Sequence, residues 1–267
     1  SGKTLRSIYI GGGTPTSIDI SLLAAIIERV NTLRTSAVEL TVEAGRVDTI
    51  DDDVLQAFKN LDVNRISINA QTMNDQTLRE MNRPHTAQDV IKCISKASHY
   101  GFDSINMDLI MGLPGERMDH AEKTLTIVKE LPIDNLTVHT LAIKRSSKLK
   151  EKMDEYDLSN QSMVEAMVEM SQVTAYQMGM HPYYMYRQKF MSGNLENVGF
   201  AKPGKESVYN IDIMEETHNV IALGAGGVSK RMYYDENRHV RLANPKSIDH
   251  YIKNIDTLIK KKDKFFS

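Results

Sequence analysis

The sequence is poor in the features that would support disulfides, membrane spans or a nucleic-acid surface. It contains one cysteine, Cys93, so no intrachain disulfide can form, and a reducing cytoplasm is the expected compartment. No apolar run approaches the roughly 18 residues that a membrane-spanning helix needs, and no signal peptide is visible. The formal net charge is −2, so bulk charge favours neither nucleic acid nor a membrane as a partner.

What the sequence does contain is an alternation of short β-branched runs with segments of helical period. The predicted strands are Ser7–Ile10, Val38–Glu43, Arg65–Asn69, Ser104–Ile110 and Asn135–Leu141. The amphipathic helices predicted between and after them are Ser21–Leu33, Asp51–Asn60, Asp75–Met81, Ala87–Tyr100 and Ala121–Glu130. Strands that recur every ~30 residues with a helix after each indicate βα units and a parallel sheet. A whole or partial (β/α) barrel fits this series, and a doubly wound sheet is the alternative.

The sequence changes character in its second half. One long helix is predicted over Asn160–Met180, and its methionines at helical spacing indicate a core stripe. A strand-rich extension and a last helix, Ser247–Lys262, follow. The 267 residues suit one large domain or a domain plus an extension. We therefore predict a barrel part over 1–180 and an α+β extension near the barrel mouth over 181–267.

Polar residues follow the predicted strands where a barrel or an open α/β sheet binds ligands. In strand order they are Gly11–Thr16 ("GGGTPT"), Glu43, Gln71, Asp108, and the cations Lys144 and Arg145. Glycine backbone, carboxylates and cations at one rim could hold a zwitterion that also carries hydroxyl groups. For single members a structural role is the alternative, namely a tight turn for the glycines, an exposed edge for Glu43 and a structural ion pair for Asp108.

These strand-end segments resemble a known family. "GGGTPT" after a strand resembles the glycine motif of radical S-adenosylmethionine (SAM) enzymes. "TVEAG", "RISINAQT", "LREMNRPH" and "INMDLIMGLPGE" resemble the oxygen-independent coproporphyrinogen III dehydrogenase (oxidase) family, and "VHTLAIKRSS" and "ALGAGGVSKR" its HemZ-type branch. The resemblance covers residue 8 to about 234 and implies a partial (β/α)6 TIM-like barrel with a C-terminal α+β extension.

The resemblance also implies residue roles. The SAM-contacting residues would be Gly12, Gly13 and Thr14 at the methionyl amine, Glu43 at the amine or ribose, Gln71 and Asp108 at the ribose hydroxyls, Arg83 at the methionyl carboxylate, and Ile110 and Gly112 beside the adenine. A salt bridge or helix cap is the alternative role for Arg83. The candidate substrate-binding cations are Lys144, Arg145, Arg187 and Lys189. His139 is interpreted as a satisfied strand histidine, and the tyrosines of "YYMY" mostly as packing residues.

One departure from the family concerns the iron–sulfur cluster. The family holds a 4Fe–4S cluster with a Cys-x3-Cys-x2-Cys loop, and Cys93 cannot replace three thiolates. We therefore expect this chain to lack the first βα unit that carries the loop, and to be inactive by itself. A cluster-free relative is the alternative.

The function implied by the resemblance lies in haem and porphyrin biosynthesis. Two propionate groups of coproporphyrinogen III would lose carbon dioxide and become vinyl groups, giving protoporphyrinogen IX, after reductive cleavage of SAM. The expected partners are a tetrapyrrole substrate and an electron-transfer protein. The alternatives are a haem chaperone of the same superfamily and a radical SAM enzyme with another substrate.

Overall fold

The computed structural model describes residues 4–34, 38–141, 161–187 and 195–267. The chain divides into two compact units, Ser1–Tyr209 and Asn210–Ser267. This division lies later than the boundary suggested at residue 180, because two further strands after that residue extend the sheet of the first unit. Within the described ranges, no helix is both long and apolar enough to cross a membrane.

The first unit is built on one seven-stranded sheet that curls into a half-barrel. Its strands are β1 (Ser7–Ile10), β2 (Glu39–Gly45), β3 (Arg65–Gln71), β4 (Ser104–Met111), β5 (Asn135–Thr140), β6 (His181–Tyr186) and β7 (Asn197–Ala201). The spatial order is β1-β2-β3-β4-β5-β7-β6. Strands β1 to β5 are parallel, and β7 lies antiparallel between β5 and β6. The predicted partial barrel is confirmed.

The helices of the first unit follow the strands, as βα connections require. They are α1 (Ile20–Asn31), α2 (Asp52–Asn60), α3 (Asp75–Glu80), α4 (Ala87–Tyr100), α5 (Met118–Lys129) and α6 (Gln161–Gln177). Local capping explains where several of them start. Asp51 accepts a hydrogen bond from the Val54 N–H at 2.9 Å, and Thr86 forms a capping box with Asp89 before α4. Gly101, with φ 67°, ends α4 in the left-handed conformation.

The apolar core lies between the sheet and these helices. One set of alternating strand residues, such as Ile66, Ile68 and Met107, is fully buried with helix residues such as Leu55 and Phe58. Because side chains alternate across a strand, the residues between them face the other side of the sheet. That second face is polar, and it carries the candidate site.

The second unit contains the remaining elements. Helix α7 (Val208–Glu215) crosses the boundary between the units, and β8 (Val228–Tyr233) and β9 (Arg238–Ala243) form an antiparallel hairpin. The predicted helix Ser247–Lys262 is corrected to two helices, α8 (Ile248–Lys253) and α9 (Ile255–Phe266). Asn254 separates them, because its backbone leaves the helical region (φ −111°, ψ 16°) and its side-chain amide donates to the His250 carbonyl.

Candidate functional site

The glycine loop after β1 lies against the end of β2. A side chain at Gly11 would come within 2.6 Å of the Tyr9 ring and 2.8 Å of Glu43 Oε2, so a larger residue there would displace these two side chains. Gly12 has φ +125°, which favours glycine, and its N–H donates to Glu43 Oε2 at 3.3 Å. Apart from their chain neighbours, no atom of the described residues lies within 4 Å of the Cβ position of Gly12 or Gly13, so a ligand has room to approach this backbone.

One polar residue from each of five strands forms the layer that we call the rim layer. Its members are Glu43, Asn69, Asp108, His139 and Tyr186. Asn69 Nδ2 donates to Glu43 Oε1 at 3.5 Å. His139 Nε2 lies 3.6 Å from Asp108 Oδ2, and Tyr186 OH lies 3.2 Å from His139 Nδ1. The curled sheet therefore brings acids, an amide, an imidazole and a phenol together.

A second polar layer lies beneath the rim layer and supports it. Asn106 Nδ2 donates at 2.8 Å both to Asp108 Oδ1 and to Ser67 Oγ. Thr137 Oγ1 donates to Asn106 Oδ1 at 3.2 Å and lies 3.2 Å from the Tyr184 hydroxyl. These bonds satisfy groups that would be costly to bury alone, and they fix the orientation of the Asp108 carboxylate.

The electrostatics of the rim layer favour a positively charged ligand group. Burial, and then the nearby Asp108 carboxylate, raise the pKa of Glu43, partly offset by hydrogen bonds from Gly12, Asn69 and Tyr9. Burial, followed by the Glu43 and Asp108 carboxylates, also raises the pKa of Tyr9. Among the described residues, no lysine or arginine forms an ion pair with Glu43 or Asp108. A bound cation would lower the cost of ionising Glu43.

Arg83 lies beside the same rim. Its Nη1 donates to the Asn69 carbonyl at 2.8 Å. Burial, followed by the neighbouring charge of Arg46, lowers the pKa of Arg83. Within the part of the chain that the structure describes, no carboxylate pairs with this guanidinium. An anionic group of a ligand would complete its hydrogen bonding.

Gln71, at the end of β3, is buried and has a left-handed backbone with φ +73°. A bulge in the pairing of β3 with β4 accompanies this conformation. For a residue other than glycine it is strained, and strain of this kind is often retained at binding sites.

Three other residues predicted to contact SAM, Thr14, Ile110 and Gly112, differ in what they pack against. Thr14 packs on the end of β2, where a side chain on Gly45 would meet its Cγ2 at 3.2 Å. Ile110 is half-buried on β4 and pairs in register with His139. Gly112 has φ +80°, and a side chain there would come within 3.0 Å of Val164 on α6. Packing against α6 is therefore a sufficient reason for glycine at this position.

The predicted substrate cations are only partly described. Lys144, Arg145 and Lys189 lie outside the described residues. Arg187 is 60% exposed, and its Nη2 lies 3.0 Å from Glu196 Oε1. Its partner in the structure is therefore a surface carboxylate, and its role toward a substrate stays a prediction.

Sequence reasoning left several residues of this site unassigned. Asn106 and Thr137 were not singled out, and His139 was interpreted as a satisfied strand residue. The signal that could have found them is the polar residue at every second position of β3, β4 and β5. This pattern indicates a polar face inside the half-barrel rather than a face exposed to solvent. Tyr9 was also missed; its ring stacks on Tyr209 with centroids 4.2 Å apart.

Comparisons with known proteins bear on the family and the fold of this chain. Residues 2–128 match the model of the Radical SAM superfamily. These residues therefore form a radical SAM domain. The chain is 39% identical over 98% of its length to the oxygen-independent coproporphyrinogen-III oxidase-like protein HemZ of Bacillus subtilis, covering 53% of that protein. It is 30% identical over 78% of its length to the heme chaperone HemW of the same organism, covering 52% of it.

A solved structure shares the fold of this radical SAM chain. The coproporphyrinogen III oxidase HemN from Escherichia coli matches with a TM-score of 0.75 and 21% identity, over 96% of this chain and 58% of that chain. At this identity the likeness shows the fold alone. The chain spans about half the length of the curated relatives it matches.

The superfamily uses SAM and a 4Fe–4S cluster, and the residues of this chain fit the two cofactors differently. The open glycine backbone, the two acids that pair with no described lysine or arginine, and the nearby Arg83 suit a zwitterionic nucleoside. The cluster does not fit, because the sequence has one cysteine. Cys93 is buried on α4, and burial raises the pKa of its thiol to about 12. Its thiolate, the form that binds iron, is therefore disfavoured.

Proposed function

We propose that the rim layer and the glycine loop bind SAM. The carrying observation is the pair of half-buried carboxylates, Glu43 and Asp108, which lie beside open glycine backbone and form no ion pair with a lysine or arginine among the described residues. In this proposal Glu43 and the backbone at Gly12 hold the methionyl amine. Charge-assisted hydrogen bonds of this kind are stronger than neutral ones.

The remaining contacts of the cofactor follow from the same rim. Asp108 and Gln71 accept from the ribose hydroxyls, and Arg83 pairs with the methionyl carboxylate. Gly13 and Thr14 border the amine, while Ile110 and Gly112 border the adenine. When bound beside a reduced cluster, SAM supplies a carbon radical that abstracts hydrogen. The residues of this chain bind and orient the nucleoside.

We infer that the longer protein acts in porphyrin biosynthesis, by oxidative decarboxylation of coproporphyrinogen III propionates to vinyl groups. The similarity to HemZ over 98% of the chain supports this substrate. The cations Lys144, Arg145, Arg187 and Lys189 are our candidates for the substrate carboxylates. Because this chain cannot hold the cluster with one cysteine, we propose that it is inactive by itself.

A second function is a haem chaperone role, which the similarity to HemW favours. Anaerobic turnover of the full-length protein, reconstituted with iron and sulfide, separates the two. Formation of vinyl products from coproporphyrinogen III would support the oxidase. Haem binding with a Soret shift and no turnover would support the chaperone. SAM cleavage without decarboxylation of coproporphyrinogen III would contradict the oxidase and indicate another substrate.

A further inference from the structure

His139 on β5 contacts rim-layer residues on two other strands, β4 and β6, which are not neighbours in the sheet. Its Nε2 lies 3.6 Å from Asp108 Oδ2 on β4. Its Nδ1 lies 3.2 Å from the hydroxyl of Tyr186 on β6. In the sheet, β7 separates β5 from β6. The imidazole therefore connects the parallel strands of the half-barrel to its far edge strand.

The same residues form a closed ring of contacts through the supporting layer. Asp108 Oδ1 is held by Asn106, and Asn106 accepts from Thr137. Thr137 lies in hydrogen-bonding distance of Tyr184, whose ring stacks on that of Tyr186 with an interplanar angle of 8°. The Tyr186 hydroxyl lies 3.2 Å from His139 Nδ1, which closes the series of contacts. Both oxygens of the Asp108 carboxylate therefore face a fixed polar neighbour.

The ring gives the imidazole a defined orientation. With its proton on Nε2, His139 presents this proton to Asp108 and accepts from the Tyr186 hydroxyl at Nδ1. In the other neutral tautomer, Nε2 would present a lone pair to the carboxylate, which is unfavourable. The Asp108 carboxylate then has the Asn106 amide at 2.8 Å from one oxygen and the imidazole at 3.6 Å from the other.

We propose that His139 is a positioning residue, which holds Asp108 in the orientation needed to accept both hydroxyls of a ribose. This inference rests on the proposed SAM site. A carboxylate binds a vicinal diol well only in a narrow range of orientations, and groups behind it that fix the orientation strengthen the contact. If His139 has this role, the chain should bind a nucleoside with both ribose hydroxyls more tightly than one that lacks a hydroxyl, and this preference should depend on His139.

The experiment measures the affinity of this chain for 5′-deoxyadenosine and for 3′,5′-dideoxyadenosine, which lacks one hydroxyl, by calorimetric titration. The unsubstituted chain should prefer the diol by about tenfold, since a hydrogen bond to a charged group is lost in the other ligand. His139→Phe should bind the diol about tenfold more weakly, with little change for the dideoxy compound. His139→Gln, which can still donate to Asp108, should recover part of the preference.

Asp108→Ala and the double variant Asp108→Ala/His139→Phe complete the cycle. If His139 acts through Asp108, its substitution has no further effect once Asp108 is absent. The matched control is His181→Phe, an exposed histidine on β6, which should leave both affinities unchanged. Thermal unfolding of every variant checks that each is folded.

The outcomes separate this inference from the function on which it rests. If Asp108→Ala keeps the preference for the diol, or if the unsubstituted chain binds neither nucleoside, the proposed SAM site is wrong, and the inference falls with it. If Asp108→Ala abolishes the preference while folded His139→Phe and His139→Gln retain it fully, the SAM site stands, and the role of His139 is wrong.

Discussion

At the scale of single residues, the site contains a partly buried acid and a strained backbone, and both features are unfavourable for folding. Glu43 is a half-buried acid whose pKa is raised by burial and by Asp108. Gln71 has a left-handed backbone although it is not glycine. Each feature lowers the free energy of unfolding, and contacts with a bound ligand would offset that loss. These residues therefore allow binding and stability to be tested separately.

Glu43→Gln should change how the free energy of unfolding depends on pH. Because the folded-state pKa of Glu43 is raised, the folded chain takes up this proton more readily than the unfolded chain. Its contribution to stability therefore falls as pH rises from about 4.5, the ordinary value, through the raised value. Glu43→Gln lacks this loss, so its stability relative to the unsubstituted chain should increase across that interval in urea unfolding.

The same variant should bind SAM more weakly at neutral pH, because the amide carries no charge for the methionyl amine. Glu28→Gln removes an exposed carboxyl group on α1 and reports the effect of a lost surface charge. A stability difference that does not grow with pH would contradict the pKa argument. An unchanged SAM affinity would contradict the role of Glu43.

Gln71→Gly should stabilise the chain while weakening SAM binding. Glycine adopts a left-handed backbone without strain, so the gain is expected to be up to about 1 kcal/mol. Loss of the side-chain amide should reduce SAM affinity in calorimetric titration. Asp62→Gly is the control, since Asp62 also has a positive φ of 54° but is exposed. Loss of affinity in both variants, or in neither, would argue against a ligand role for Gln71.

At the scale of secondary-structure elements, a buried ion pair joins the beginnings of two neighbouring strands, β2 and β3. Glu39 on β2 lies 3.4 Å from Arg65 Nε on β3, and both side chains are 9% exposed. The Glu39 carboxylate also accepts from the N–H groups of Val208 and Tyr209, at the start of α7, at 2.9 and 3.2 Å. It therefore ties the segment after β7 back to β2.

Glu39→Ala should destabilise the chain by about 3 kcal/mol, because Arg65 would keep a buried charge without its partner and α7 would lose its N-terminal acceptor. Urea unfolding monitored by circular dichroism measures this loss. Glu28→Ala, at an exposed position of α1, should change stability by less than about 0.5 kcal/mol. Equal losses of stability in the two variants would show that the contacts of the Glu39 carboxylate contribute little to stability.

The sequence was most informative where a local pattern determines an element. The five parallel strands and the helices α2 and α4 lie close to their predicted ranges, because β-branched runs and the caps at Asp51 and Thr86 are local signals. Strand β6 was missed because Pro182 disfavours a strand assignment. Proline is tolerated there since β6 is an edge strand. The break at Asn254 was also missed, because helical periodicity continues across it.

The candidate site was predictable only in part for a related reason. Parallel topology alone places Glu43 and Asp108 at one rim, and the structure brings them within electrostatic reach of each other. The partner of His139 is Tyr186, 47 positions away on a strand that was not predicted. No local pattern reports such a contact. The assignment of these residues to SAM stays a prediction.

At the scale of the whole molecule, the chain has the fold of a radical SAM protein but not the cysteines for its cluster. Anaerobic treatment of this chain with iron and sulfide should therefore give no stable cluster absorbance after desalting. Cys93→Ser should behave identically, because the buried thiol takes no part. A stable absorbance in the unsubstituted chain that is lost in Cys93→Ser would contradict this account.

The central claim is that SAM lies across the rim of the half-barrel, held by glycine backbone and two acids. A crystal structure of this chain with SAM tests it most directly. We expect the methionyl amine within hydrogen-bonding distance of the Glu43 carboxylate and the ribose hydroxyls at Asp108. SAM bound elsewhere, or absent from the rim at a saturating concentration, would contradict the claim.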